Sequence, residues 1–243
     1  TELPKTPEEF QAALKKIKEN TKAIPLYTNF AEAWAMGAWD AYIGGNATGD
    51  PKFMNQVMPH DKTPFKKDDK APDTHPYAVY KTLYDAVANG YTEEDYSTTD
   101  WESSKGRINN GEIATMVLGA WAVPQMKQAG DHPDDVQYMP FPITVDGKQY
   151  ATLAGNYSMG INKNSDKDRQ EAAMIFVKWM TEKSGYAKNE GGIPIVKSDD
   201  SLPETYEHFK DVDLIVDDPA KEGEEDLFAD INSDSELGIN NGN

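Results

Sequence analysis

The chain has 243 residues, with 24 Lys or Arg against 42 Asp or Glu and a formal net charge of −18 at pH 7. That excess of carboxylates argues against a nucleic-acid ligand, whose phosphates need cations, and would repel an anionic membrane surface. There is no cysteine, so disulfides and thiolate chemistry are excluded, and no apolar run is long enough to span a bilayer. The remaining composition, 38% hydrophobic and 10% aromatic, is that of a globular chain with room for a sizeable core.

Thr6-Pro7-Glu8-Glu9 predicts a helix start, with Thr as cap and Pro at the first position. Phe10, Ala13, Leu14 and Ile17 form its inward stripe. Residues 23–28 read as a strand. Asn29 then caps a helix with Glu32 at the box position, and Phe30, Trp34, Ala38 and Ala41 share one face up to Gly44-Gly45. Residues 59–74 are aperiodic and rich in Pro, Asp and Lys, as in a surface loop. Pro76 opens a helix with Tyr80, Leu83, Tyr84 and Val87 inside, closed by Asn89-Gly90.

The stretch 101–128 organises the rest. Thr99 and Glu102 are spaced as a capping box, and Trp101, Lys105 and Ile108 give the helix an inward edge. Asn109, Asn110 and Gly111 stop it. Residues 112–118 have strand length, Gly119 breaks the run, Trp121 follows, and Pro124 suits the first turn of another helix. A Trp at a strand-to-helix crossover occupies the position where open α/β sheets bind ligands.

Further on, residues 136–141 read as a strand ending at Pro142, Asp146-Gly147 as a hairpin turn, and residues 157–161 as a strand. Ala172, Ile175, Phe176 and Trp179 line the next helix. After Lys197 the pattern fades: residues 203–210 are helical, and from Asp211 the chain is acidic and weakly patterned, with a frayed end. The expected organisation is an α/β unit over residues 1–200 and a weakly structured extension over 201–243. Alternating strands and helices imply a mainly parallel or mixed sheet with helices on both faces.

Enzyme motifs fail on inspection. Gly155-Asn156-Tyr157-Ser158-Met159-Gly160 is no nucleophile elbow, because Asn156 stands where glycine must precede the serine. His60, His75, His132 and His208 have no ligand spacing. Asp230, Asn232 and Asp234 imitate a calcium loop, but Ser235 and Asn241 replace its glycine and its bidentate Glu. The sequence therefore supplies no catalytic residue, no metal set and no cofactor site. A carboxylate pair for glycoside hydrolysis is not marked by its neighbours, which leaves a carbohydrate hydrolase as the alternative.

What remains is aromatic rings and amides at loop positions: Tyr27, Asn29, Phe30 and Trp34 after the first strand, Trp121 one unit later, and Asn156 with Tyr157. Rings stack on sugar C–H faces, and amides pair with hydroxyls. Trp121, Phe30 and Trp34 also fit core positions, and Asn156 fits a turn.

These segments carry a family resemblance. The helix ending in NNGEIATM, the Gly119-x-Trp121 turn, YMPFP at 138–142, GNYSMGI at 155–161, EAAMIFVKWM at 171–180 and GGIPIVK at 191–197 occur in order. Together they resemble the extracellular solute-binding proteins of sugar ABC transporters, over Pro4 to Lys197. The resemblance implies one lobe of a two-lobed periplasmic-binding-protein-like fold, with the amino-terminal lobe absent. It implies binding of an extracellular oligosaccharide between the lobes and delivery to the membrane permease of an ABC importer, without catalysis; a non-sugar solute is the alternative. It also implies a lipid-anchored or periplasmic location and a monomeric intact protein. The isolated lobe is expected to bind sugar weakly and to self-associate.

Overall fold

The computed structural model describes residues 2–155, 158–196, 202–236, 238 and 239. Helix α1 (Pro7–Asn20) starts as its sequence dictates: the Thr6 hydroxyl accepts the Glu9 N–H at 3.2 Å. The Glu9 carboxylate accepts the Lys5 N–H at 2.7 Å. Phe10 and Leu14 are buried against strand β1 (Ile24–Leu26) and helix α4 (His75–Ala88). Strand β1 pairs in parallel with β2 (Ile113–Thr115), Ile24 opposite Ile113 and Leu26 opposite Thr115. On its other side Leu26 makes a parallel bridge to Thr92. Helix α5 (Trp101–Asn109) packs on β2 and on α6 (Ala122–Gln128).

The α/β class and the parallel pairing hold, but the described residues make two small sheets, not one. The second pairs β3 (Gln149–Thr152) in parallel with β4 (Val212–Ile215), Gln149 opposite Val212 and Thr152 opposite Ile215. Strand β4 lies in the stretch past residue 200 that the sequence leaves without pattern. Its first residues follow a 3-10 helix, Glu204–Phe209, within the span 203–210 expected to be helical. Helix α9 (Leu227–Ser235) includes Asp230, Asn232 and Asp234. The Asn232 amide both donates to and accepts from the Ile239 backbone, at 2.8 Å each, so it ties residue 239 to α9.

Several local expectations are corrected. The helix after Asn29 starts late, as α2 (Ala35–Asp40), and is followed by the short α3 (Gly45–Thr48). The Asn29 side chain caps nothing. The late start resets the helical phase, so Trp39 (2% exposed) and Ile43 enter the core, and Trp34 and Ala41 stay out. In α4 the small residues Ala78, Thr82 and Ala86 take the buried face with Val79 and Leu83, and Tyr84 and Val87 face outward. The cap of α5 is Asp100, not Thr99; its carboxylate accepts the Ser103 N–H at 2.7 Å. Strand β2 ends at Thr115, short of Leu118, and residues 136–141 and 158–161 form no strand. Tyr157 lies outside the described residues.

The turn expectations hold where backbone sign decides them. Asp146 and Gly147 have φ of 50° and 81°, the pair a type I′ turn needs, and Val145 and Lys148 exchange two backbone hydrogen bonds. Helix α4 is capped by Asn89 and followed by Gly90 at φ 69°, and α5 is capped by Asn110 and followed by Gly111 at φ 77°.

Two further helices complete the fold, α7 (Lys167–Glu182) and α8 (Tyr186–Asn189). None of the α7 residues is buried, and Met174, Ile175, Phe176 and Trp179 are all exposed. The stripe expected to face inward on this helix is therefore exposed.

Candidate functional site

At the carboxyl end of β1 and β2 three indoles meet. Trp34 and Trp101 are 5.5 Å apart at 90°, Trp34 and Trp121 are 6.0 Å apart at 60°, and Trp101 and Trp121 are 5.6 Å apart at 63°. All three contacts are edge-to-face, the arrangement ring quadrupoles favour. Trp34 is 41% exposed, and Trp101 and Trp121 are half-buried.

Each ring is positioned by local chemistry. Trp34 sits on turns after β1, where the Glu32 N–H donates to the Asn29 carbonyl at 3.1 Å and the Ala35 N–H to the Glu32 carbonyl at 2.9 Å. Trp101 is the first residue of α5, just past the Asp100 cap. The two turns are tied together: the Ala31 N–H donates to the Thr99 hydroxyl at 2.8 Å, and the Asp100 N–H to the Tyr27 hydroxyl at 3.0 Å. The Lys105 ammonium lies 4.8 Å over the Trp101 ring and 2.8 Å from the Glu102 carboxylate. Trp121 folds back over Gly119, where a Cβ would meet the indole at 2.8 Å. Glycine is required there by close approach. The Ser103 hydrogen bonds hold the Asp100 carboxyl below the usual carboxylate range, so the cap is charged at neutral pH.

Trp34 and Trp121, expected as separate ring positions, are thus brought together. Tyr27 and Asn29 are not surface contacts as placed: both are buried beneath the triad's turns. The Tyr27 hydroxyl is occupied by Asp100, and the Arg107 guanidinium lies 5.2 Å from its ring. Asn29 is 1% exposed at φ 60°, and neither side-chain amide atom has a hydrogen-bond partner. Phe30 is partly buried against the main core. Asn156 and Tyr157 lie outside the described residues. Trp101, the third ring of the cluster, is not among the expected ring positions; its spacing with Ile108 reads only as an inward edge.

The triad offers apolar faces bordered by charged groups, Asp100, Glu102 and Lys105. Among the described residues no group of three or more His, Cys, Asp or Glu is arranged to hold a metal ion. Two surface grooves, of ≈ 490 and ≈ 410 Å³, lie elsewhere, the first between α1, α4 and Lys67, the second beside Asn109–Gly111 and His132. Neither includes an indole of the triad.

Residues 2–208 match the family model of the bacterial extracellular solute-binding proteins. No curated protein sequence matches. Among solved structures, a manno-oligosaccharide-specific solute-binding protein from Bifidobacterium animalis subsp. lactis, in complex with mannotriose, is 92% identical with a TM-score of 0.95. The match covers 100% of this chain and 57% of that one. A second binding protein of an ABC transporter from the same organism, in complex with mannobiose, is 82% identical with a TM-score of 0.95, over 100% of this chain and 57% of its own. A raffinose complex of a solute-binding protein shares the fold at 18% identity and a TM-score of 0.67, over 89% of this chain and 57% of its own. The chain thus spans a little over half the length of the structures it matches.

Proposed function

The chain belongs to the bacterial extracellular solute-binding proteins, and from that premise we propose that it forms one side of a manno-oligosaccharide cleft. The solute is held between this lobe and a second one, and is passed to the membrane permease of an ABC importer. The observation that carries this reading is the Trp34–Trp101–Trp121 platform at the carboxyl end of a parallel strand pair. Its indole faces suit the C–H faces of hexoses, and the bordering carboxylates suit their hydroxyls. The identities of 92% and 82% to mannotriose- and mannobiose-bound proteins support manno-oligosaccharides as the solute class.

Two further features support a two-lobed whole. The matched structures have substantial length beyond the part this chain covers. Helix α7 presents Met174, Ile175, Phe176 and Trp179 to solvent, the kind of apolar face that another body covers. In the whole protein this face packs on the remaining length, the cleft closes by a hinge, and the protein is a monomer anchored as a lipoprotein or free in a periplasm. No covalent step occurs, so the sugar leaves intact.

The test is substitution in a chimera in which this chain replaces the matching part of its 92%-identical relative. Trp34→Ala and Trp121→Ala should each weaken mannotriose binding by about 1–3 kcal/mol, read by calorimetry. Chromatography of the recovered sugar should return mannotriose unchanged. Unaltered affinity with a lowered melting temperature would make the triad a core cluster and overturn the proposal.

A further inference from the structure

Trp121 is carried by residues 116–120, which lie past the last paired residue of β2 and belong to no strand. Sheet hydrogen bonds do not fix this segment, so its position depends on other contacts. The Leu118 carbonyl accepts the Tyr42 hydroxyl at 2.6 Å. A second buried phenol, Tyr138, interacts with Tyr42. Burial pushes both phenols up, so both stay protonated across the physiological range.

Each phenol is itself held by rings. Tyr42 stacks on Phe141 at 4.5 Å and 19°, and Tyr138 stacks on Phe209 at 5.1 Å and 19°. Tyr206 meets the Tyr138 ring edge-on at 5.9 Å. From the other side Gly191 abuts the segment: at φ 72° its missing Cβ would stand 2.8 Å from the Ala120 carbonyl oxygen.

The Leu118 carbonyl and the Gly119 nitrogen share one rigid peptide plane. The Trp121 indole lies directly over Gly119. A rotation of that plane therefore moves the surface on which the indole rests. We propose that Tyr42 is a positioning residue: its hydroxyl, backed by Tyr138, sets the Leu118–Gly119 peptide plane and thereby the angle at which Trp121 closes the indole triad. Its effect on sugar affinity rests on the reading of the triad as the sugar platform; its effect on the triad's geometry does not.

The experiment has two arms, with Tyr42→Phe as the principal variant because it keeps the stack on Phe141. In the 243-residue chain without sugar, near-ultraviolet circular dichroism reads the coupling of the three indoles. Tyr42→Phe should change that signal while the far-ultraviolet spectrum is retained, and Tyr138→Phe should change it in the same direction by less. An indole signal identical to the parent's in folded Tyr42→Phe overturns the inference. Should Tyr42→Phe fail to fold, Tyr138→Phe decides alone: an unchanged signal overturns the inference and a changed one supports it. In the chimera, Tyr42→Phe should weaken mannotriose binding about five-fold, the equivalent of one ordinary hydrogen bond. A changed indole signal with unchanged affinity supports the positioning role and counts against the sugar platform, so the two failures are told apart.

Discussion

Helices α4 and α7 are of similar length, 14 and 16 residues, and both carry large apolar side chains. Helix α4 buries six of its residues between α1, α3 and the main core. Helix α7 buries none and holds Phe176 and Trp179 in water at 56% and 51% exposure. An amphipathic helix specifies that it needs a covering surface; it does not specify whether that surface lies within the same chain. In α4 small residues bring neighbouring backbones close, and in α7 bulky ones reach outward. The first is the habit of a core helix and the second that of an interface helix.

The contrast breaks first in the core. Trp39→Ala, at a 2%-exposed ring on the covered side, should cost about 3–5 kcal/mol in urea unfolding of this chain. Trp179→Ala in the same chain should change stability by no more than about 0.5 kcal/mol, because the ring is already hydrated. In the chimera the same Trp179→Ala substitution should cost about 1.5–3 kcal/mol, the value of burying a large side chain. An equal, small effect of Trp179→Ala in both proteins would show that α7 is a solvent helix in its own right. In the isolated chain, sedimentation should show weak self-association that Phe176→Ala and Trp179→Ala both reduce.

The helix caps sharpen the comparison at a smaller scale. Thr6 caps α1 on the core side and Asp166 caps α7 through the Arg169 N–H. Thr6→Ala should lower global stability by about 1 kcal/mol, because α1 carries the buried Phe10 and Leu14. Asp166→Ala should speed hydrogen exchange in the first turn of α7 and leave the global transition where it was. Equal shifts of the global midpoint would mean that α7 is coupled to the core after all.

The smallest expected effect lies near the second sheet, at Asp217, whose Oδ1 is buried without a partner. Burial, and then the neighbouring Asp218 charge, raise its carboxyl above the usual range. The folded state therefore holds this proton more tightly than the unfolded one. Its contribution is fully favourable below the ordinary carboxylate range and is lost as the pH rises through the raised value. Asp217→Asn should stabilise the chain at pH 7, with the gain shrinking towards pH 4. A gain that grows with acidity would reverse the assignment.

The parts of the fold legible in the sequence are those decided within a few residues. Thr6-Pro7, Asn89-Gly90 and Asp146-Gly147 act through a cap or a positive φ, and each reads correctly. Depth and distant pairing are another matter. Periodicity places Tyr84 and Val87 inside α4, yet close packing against α1 and α3 selects Ala78, Thr82 and Ala86. Strands β3 and β4 pair across some sixty residues through segments with polar members such as Gln149 and Asp213, so no alternation announces them. At the site, the sequence marks Gly119 only as the end of a strand, whereas the strand ends at Thr115 and the Trp121 indole lying close over the backbone is what the glycine accommodates. Tyr27 and Asn29 sit at the strand end as expected but one layer too deep, since sequence position alone does not fix depth.

The central claim is that this chain holds one side of a manno-oligosaccharide cleft, and titration of mannotriose tests it most directly, into the isolated chain and into the chimera. Stacking on one open side contributes about 1–2 kcal/mol, whereas a millimolar dissociation constant needs about 4 and a micromolar one about 8. The expected result is a dissociation constant near or above the millimolar range for the isolated chain and one at least a hundred-fold tighter for the chimera. Micromolar binding by the isolated chain, or binding by the chimera no tighter than by the chain alone, would contradict it.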